Sequence, residues 1–399
     1  MAKSLEHLVL MIMAVLASQA CWAQQIIGQI RPEKQIYLVG EPVFVVLDLA
    51  NAGSRPIWIN ESCAWLDTQF EATTAPKPHH EVSLFGCWTG GTAGSCGGSA
   101  KQILPEGHYE RRYLLDGSFR LDSPGVYPIR ARHKIDIYAG GTDYRVIASQ
   151  DLVSEFQLNI AEHDDKELAS AYAPVLRDLD SQDGFTSSLA IEAVVQHPPR
   201  FLEEVILSLA DHPQTAAASV TGLERLATPR AKAKLGELSA PGNPEVIRQS
   251  AISALATLSD AAYCSSMLSI GQESSQYSRW LALRAAGYLC GEKALPLLKS
   301  LLSSADSVSR FEVAYALGNS HSREAVPLLI SLLLDANSNV RRASVDSLTN
   351  LTHRSSTSGI DQQEAAGTAH DDWIRWWASE GATAKIYRID DCSERMPLQ

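Results

Sequence analysis

The segment Ser278–Asp306, SRWLALRAAGYLCGEKALPLLKSLLSSAD, returns from Ser309 as SRFEVAYALGNSHSREAVPLLISLLLDAN with no gap. Ser, Arg, Ala, Gly, Pro and Leu recur at a constant offset of 31 residues, and the offset runs further than this pair. Arg248, Arg279, Arg310 and Arg341 obey it, as do Ala254, Ala285, Ala316 and the small Ser347. Each unit carries two apolar stripes at helical spacing. Leu297, Leu298, Leu301 and Leu302 form one, and Val313, Ala314 and Leu317 form the next. A helical hairpin of this kind has an apolar face too large to leave in water. Stacking identical hairpins buries it, so the period predicts an α-solenoid over residues 243–352.

The wording of the unit adds to its period. Val308-Ser-Arg310, Ala314-Tyr-Ala-Leu-Gly318, Ala325-Val-Pro-Leu-Leu329 and Asn339-Val-Arg-Arg-Ala343 resemble the short HEAT-like repeats first named from phycobilisome lyases. The resemblance implies an armadillo-type superhelix. In that family an Asp four residues before the repeated Arg helps to form a ladder along the turns. Asp306 matches it, whereas Asn337, Ser275 and Pro244 stand at the equivalent places. A lyase-type or chromophore-handling enzyme is an alternative implied by the family name alone, and repeat membership carries fold rather than activity. Residues 162–242 read as degenerate helical repeats leading into the array.

The last hairpin needs a cover for its outer face. HDDWIRWWASEG, within the closing segment 353–399, places Trp373, Trp376 and Trp377 on one helical face. Packing as a cap is the expected role; a stacking platform for a sugar or other ligand is the alternative. The series Arg248, Arg279, Arg310 and Arg341 would follow one edge of the solenoid. Such arginines either bond turn carbonyls and carboxylates within the array or grip an acidic protein partner.

The front of the chain has a different rhythm. Over residues 24–161 short alternating runs such as PVFVVLDL, PIWIN and VYPIRARHKIDIYA are broken by turn residues, which predicts an antiparallel β-sandwich. Tyr37-Leu-Val-Gly-Glu-Pro-Val43, Leu49-Ala-Asn-Ala-Gly53 and Ser123-Pro-Gly-Val-Tyr-Pro-Ile129 resemble immunoglobulin-like domains of exported bacterial proteins. That resemblance implies a fold class and names no ligand.

Residues 1–23 have a basic start at Lys3, a short apolar segment from Leu8 to Ala17, and Cys21-Trp22-Ala23 before a cleavage point. The expectation is a signal peptide and a soluble mature chain, exported to the periplasm or secreted. Lipid anchoring at Cys21 is the less favoured alternative, because Ser18 stands where a lipoprotein box has Leu. Export favours disulfides among Cys63, Cys87, Cys96, Cys264, Cys290 and Cys392. Cys264 near the start of one helix and Cys290 at the end of the next would meet across an antiparallel hairpin. Cys87 and Cys96 would tie the Gly-rich loop 86–101, with Cys63 a competing partner. That loop lacks the GK[ST] ending and following helix of a phosphate cradle. The adjacent His79 and His80 would point to opposite faces of a strand, which reads as an exposed pair rather than metal ligands.

No metalloprotease, nucleophile-elbow, phosphate-loop or EF-hand spacing occurs. A net charge of -12 without basic clusters argues against nucleic acid. The expected function is a non-enzymatic, exported scaffold for a protein partner, with no cofactor and no metal. A protease-inhibitor-like or carbohydrate-binding β-module at the front is a further alternative.

Overall fold

The computed structural model describes residues 26–60, 68–72, 100–115, 121, 123–273, 276–304, 306–354 and 363–387. The signal segment, His79, His80, Cys63, Cys87, Cys96 and Cys392 lie outside the described residues. The chain divides into two compact units between Phe201 and Leu202.

Among its described residues the first unit carries nine strands: β1 Ile26–Pro32, β2 Ile36–Leu38, β3 Phe44–Asn51, β4 Ile57–Asn60, β5 Thr68–Ala72, β6 Ala100–Ile103, β7 His108–Leu114, β8 Gly125–Tyr138 and β9 Val146–Ala161. One sheet has the order β1-β3-β7; the other runs β2-β9-β8-β4-β6, with β5 also paired to β8. Strand β8 shows why these segments are strands. Tyr127, Ile129, Ala131, His133, Ile135 and Ile137 point inward while Arg130, Arg132 and Lys134 face water. The buried sides of both sheets meet in one core, where Val45, Leu47, Leu49, Leu115, Ala131, Ile137 and Leu158 are wholly enclosed. Burial of each larger aliphatic side chain contributes about 1.5–3 kcal/mol. The expectation of a purely antiparallel arrangement needs one correction. Strand β2 pairs in parallel with β9, Tyr37 opposite Ile160, so the larger sheet is mixed.

The segment Tyr37–Val43 is a built turn. Glu41 N–H donates to the Leu38 carbonyl, the Glu41 carboxylate accepts from Leu38 N–H at 3.0 Å, and Lys34 pairs with it. Gly40 takes φ +79°, a conformation that disfavours any side chain. Burial pushes the Tyr37 phenol up to about 12, and its hydroxyl donates to the Phe44 carbonyl at 2.8 Å. The helices α1 Asp165–Asp178 and α2 Gly184–Gln196 also belong to this unit. The Tyr172 hydroxyl of α1 donates to the Gly40 carbonyl at 3.0 Å, and Arg111 of β7 lies 4.0 Å over the Phe185 ring of α2.

Among the described residues the regular structure of the second unit is helical: α3 Glu203–Asp211, α4 Ala216–Leu226, α5 Pro229–Ser239, α6 Glu245–Thr257, α7 Cys264–Ile270, α8 Gln276–Cys290, α9 Leu295–Leu301, α10 Ser307–Gly318, α11 Ala325–Leu332, α12 Ser338–Thr352 and α13 Gln363–Glu380. The longer helices α6, α8, α10 and α12 pack side by side in one layer, and α7, α9 and α11 are their shorter hairpin partners. The 31-residue offset has a direct physical cause in that layer. A Cβ on Gly287 of α8 would lie 2.1 Å from the Ala316 carbonyl oxygen of α10. One repeat on, a Cβ on Gly318 would lie 2.6 Å from Ser347 Oγ of α12, which itself donates to the Ala314 carbonyl. The small residues recur because neighbouring helices touch there.

Gly287→Ala should therefore lower the stability of the helical unit by about 1–3 kcal/mol through overpacking, despite the ~1 kcal/mol that alanine contributes to an open helix. Gly367→Ala in α13, which meets nothing within 4 Å, is the matched control and should not destabilise. Denaturant titration of both variants checks the pair; a loss at Gly367 equal to that at Gly287 would remove the argument.

Candidate interaction surface

The four repeated arginines stay within their own array. Arg248, almost wholly buried, donates to the Ser239 carbonyl at 3.2 Å and to Glu273 at 2.7 Å. Arg310 donates to both carboxylate oxygens of Asp335, at 2.6 and 3.0 Å, and to the Ser304 carbonyl at 2.6 Å. Arg341 donates to the Asp335 and Ala336 carbonyls at 2.8 and 3.1 Å. Arg279 donates to Ser309 Oγ at 2.7 Å. These side chains staple the end of one hairpin to the start of the next.

Asp306 caps the N-terminus of α10, accepting from the Val308 and Ser309 N–H groups at 3.0 Å each, and Asn337 caps α12 in the same way. The carboxylates that answer the arginines sit elsewhere in the repeat. Glu273 and Asp335 lie two offsets apart, with Ser304 between them. Burial pushes the Asp335 carboxyl up, but the Arg310 hydrogen bond, the Asn337 N–H and the charges of Arg310 and Arg341 outweigh it. The carboxyl stands below its ordinary value.

Cys264 opens α7 and Cys290 closes α8, and the two are joined in a disulfide with their Cα atoms 5.1 Å apart. The Trp cluster divides by depth. Trp373 and Trp376 are buried with rings edge-on at 5.3 Å, α13 lies against α11, and Trp377 is half-buried with Arg323 5.8 Å over its ring.

The outward side of the long-helix layer carries a different set. Tyr277 and Trp280 of α8 form an edge-on pair at 5.1 Å, and Phe311 and Tyr315 of α10 form another at 5.0 Å. Arg284 lies 4.4 Å over the Tyr315 ring and donates to Glu312 at 3.2 Å, so its guanidinium is fixed against the aromatic surface. Burial pushes the Glu312 carboxyl up, against the charge and hydrogen bond of Arg284. Between α10 and α12 lies a groove of about 520 Å³ bordered by Val308, Phe311, Tyr315, Asn337, Asn339 and Arg342. Tyr277 and Val308 are among the most exposed large apolar residues of the unit.

Trp280, Phe311 and Arg342 occupy one position of the repeat, and Arg284, Tyr315 and Asp346 another. The strip escaped the reading of the sequence because that reading followed identities between repeats. The signal was in the positions that vary: large aromatic residues outside the apolar stripe of an otherwise regular helix. Among the described residues, no group of three or more His, Cys, Asp and Glu side chains is placed to hold a metal ion. Among them too, no helix is long and apolar enough to cross a membrane.

A family model for HEAT repeats matches residues 264–349. No curated protein matches the chain. Among solved structures, the complex of CpcE and CpcF of phycocyanin lyase from Nostoc sp. PCC7120 is 16% identical, with a TM-score of 0.32. That match covers 50% of this chain and 93% of the other. An alpha-2-macroglobulin mutant from Salmonella is 12% identical with a TM-score of 0.19, over 87% of this chain and 27% of the other. What the hairpin packing and the family model together establish is a HEAT-repeat-like helical region in the C-terminal half of the chain, matched over residues 264–349.

Proposed function

We propose that this chain is a non-enzymatic, exported scaffold that binds a protein partner on the outward face of α8, α10 and α12. The observation that carries the reading is the strip Tyr277, Trp280, Arg284, Phe311 and Tyr315, whose residue types dominate binding energy at protein contacts. Their rings are braced against one another, so little side-chain freedom is lost on binding. Arg248, Arg279, Arg310 and Arg341 are assigned to internal stapling rather than to the partner. The disulfide between Cys264 and Cys290 supports folding in an oxidising compartment. The front unit, read as an immunoglobulin-like module, would serve as a second contact or docking point.

Affinity capture from envelope extract tests the proposal. The wild-type chain should retain a defined set of proteins that the double variant Trp280→Ala/Phe311→Ala loses, while both melt within a few degrees of each other. An identical captured set would move the contact face elsewhere.

A further inference from the structure

We infer that the aromatic strip is a track for an uncharged, proline-rich segment of another protein, bound in the polyproline II conformation. This rests on the reading of that face as the contact face. Three features of the surface point to this chemistry.

The first is spacing. Contacts as close as Gly287 on Ala316 and Gly318 on Ser347 set neighbouring helix axes at the near end of the usual range, about 8–10 Å. A polyproline II chain advances about 9 Å in each three-residue turn. A segment laid across the layer therefore brings one residue per turn to equivalent places on successive helices. Trp280 and Phe311 are such places, one offset apart.

The second is the supply of donors. Polyproline II makes no internal hydrogen bonds, so each of its carbonyls needs a donor from water or from a partner. The groove beside Phe311 and Tyr315 is bordered by Asn337, Asn339 and Arg342. The Asn337 side-chain oxygen is already engaged by the Asn339 N–H at 2.9 Å, which leaves its NH2 group as the side that can donate. Prolyl rings need no donor of their own and pack flat on aromatic faces. They also arrive with little conformational entropy left to lose.

The third is charge. Arg284 is answered by Glu312, and burial pushes the Asp346 carboxyl up while the charge of Arg342 acts against that rise, so each arginine has a carboxyl beside it. The strip thus offers no unanswered charge, and the net charge of -12 repels an acidic segment. Its electrostatic complement is a neutral chain.

Fluorescence anisotropy with the full chain and a fluorescein-labelled decaproline peptide is the test, with a Gly-Ser decapeptide of equal length as reference. Wild type should bind decaproline at least tenfold more tightly than the reference peptide. Trp280→Ala and Phe311→Ala should each weaken binding about tenfold, and Phe311→Tyr, which keeps an aromatic face, should restore most of it. Phe311→Tyr also serves if the alanine variant does not fold. Equal binding of the two peptides, or decaproline binding unchanged in both alanine variants, would overturn the inference. So would displacement of bound decaproline by chitohexaose at lower concentration than by unlabelled decaproline, which assigns the rings to a sugar. If decaproline fails while the double alanine variant still loses its captured proteins, the contact face stands and the ligand class falls. If neither effect appears, both fall.

Discussion

Arg310→Ala is expected to lower the unfolding free energy of the helical unit by about 3–5 kcal/mol, because it strands a buried carboxylate. The Asp335 side chain is almost enclosed and takes two hydrogen bonds from Arg310, and the Asn337 N–H and the charge of Arg341 only partly replace that pair. The double variant Arg310→Leu/Asp335→Asn should recover most of the loss, since the cost lies in the unpaired charge rather than in the missing attraction. The pH dependence has a definite sign. The Asp335 carboxyl is held below its ordinary value in the folded chain. Its contribution is therefore complete above the unfolded-state value near ~3.9 and is lost as pH falls through the lower folded value. Urea titrations at pH 7 and pH 3 should show a wide gap between wild type and Arg310→Ala that narrows in acid. A gap of equal size at both pH values would show that Asp335 is not the group being stranded.

Removing the disulfide should cost a similar amount by a different route. The bond between Cys264 and Cys290 spans a sequence separation of 26. Closing a loop of that length in the unfolded chain is worth about 3.5 kcal/mol. Cys264→Ser and Cys290→Ser should each lower stability by that amount, and their combination by no more, since either one breaks the bond. Reducing agent should destabilise the helical unit of wild type and leave that of both variants unchanged. Non-reducing peptide mapping gives the covalent answer: the two cysteine peptides migrating separately in oxidised protein would remove the basis for the prediction.

The repeat region was legible because its constraints are local. Gly287, Ala316, Gly318 and Ser347 recur since each helix meets only its neighbours, and the hairpin geometry that placed Cys264 beside Cys290 follows from a short turn between antiparallel helices. The first unit was less legible because its defining contacts are distant in sequence. Nothing local to β2 announces a parallel pairing with a strand more than a hundred residues later. The same holds for α1 and α2. Their apolar periodicity resembles that of a hairpin in the array, yet Tyr172 reaches Gly40, Arg112 donates to Asp178, and Arg111 covers Phe185. The staple acids were hidden for another reason. Glu273 and Asp335 keep the offset, but Ser304 interrupts the series, and an Arg meets its acid 25 residues downstream rather than four residues upstream.

That interruption has a mechanical consequence. Ser304 supplies no carboxylate where the other repeats have Glu273 and Asp335, and Arg279 bonds the Ser309 hydroxyl, which in turn donates to Asp306. The joint between α8 and α10 is also spanned by a second charged tie, where Arg284 meets Glu312 beside the Tyr315 ring. The strut at this joint thus runs through the surface that a ligand would cover. A chain bound there would cover what little of the tie still meets water and load the joint like a splint across a hinge. Occupancy would then be felt as stiffness along the array, with no domain required to move.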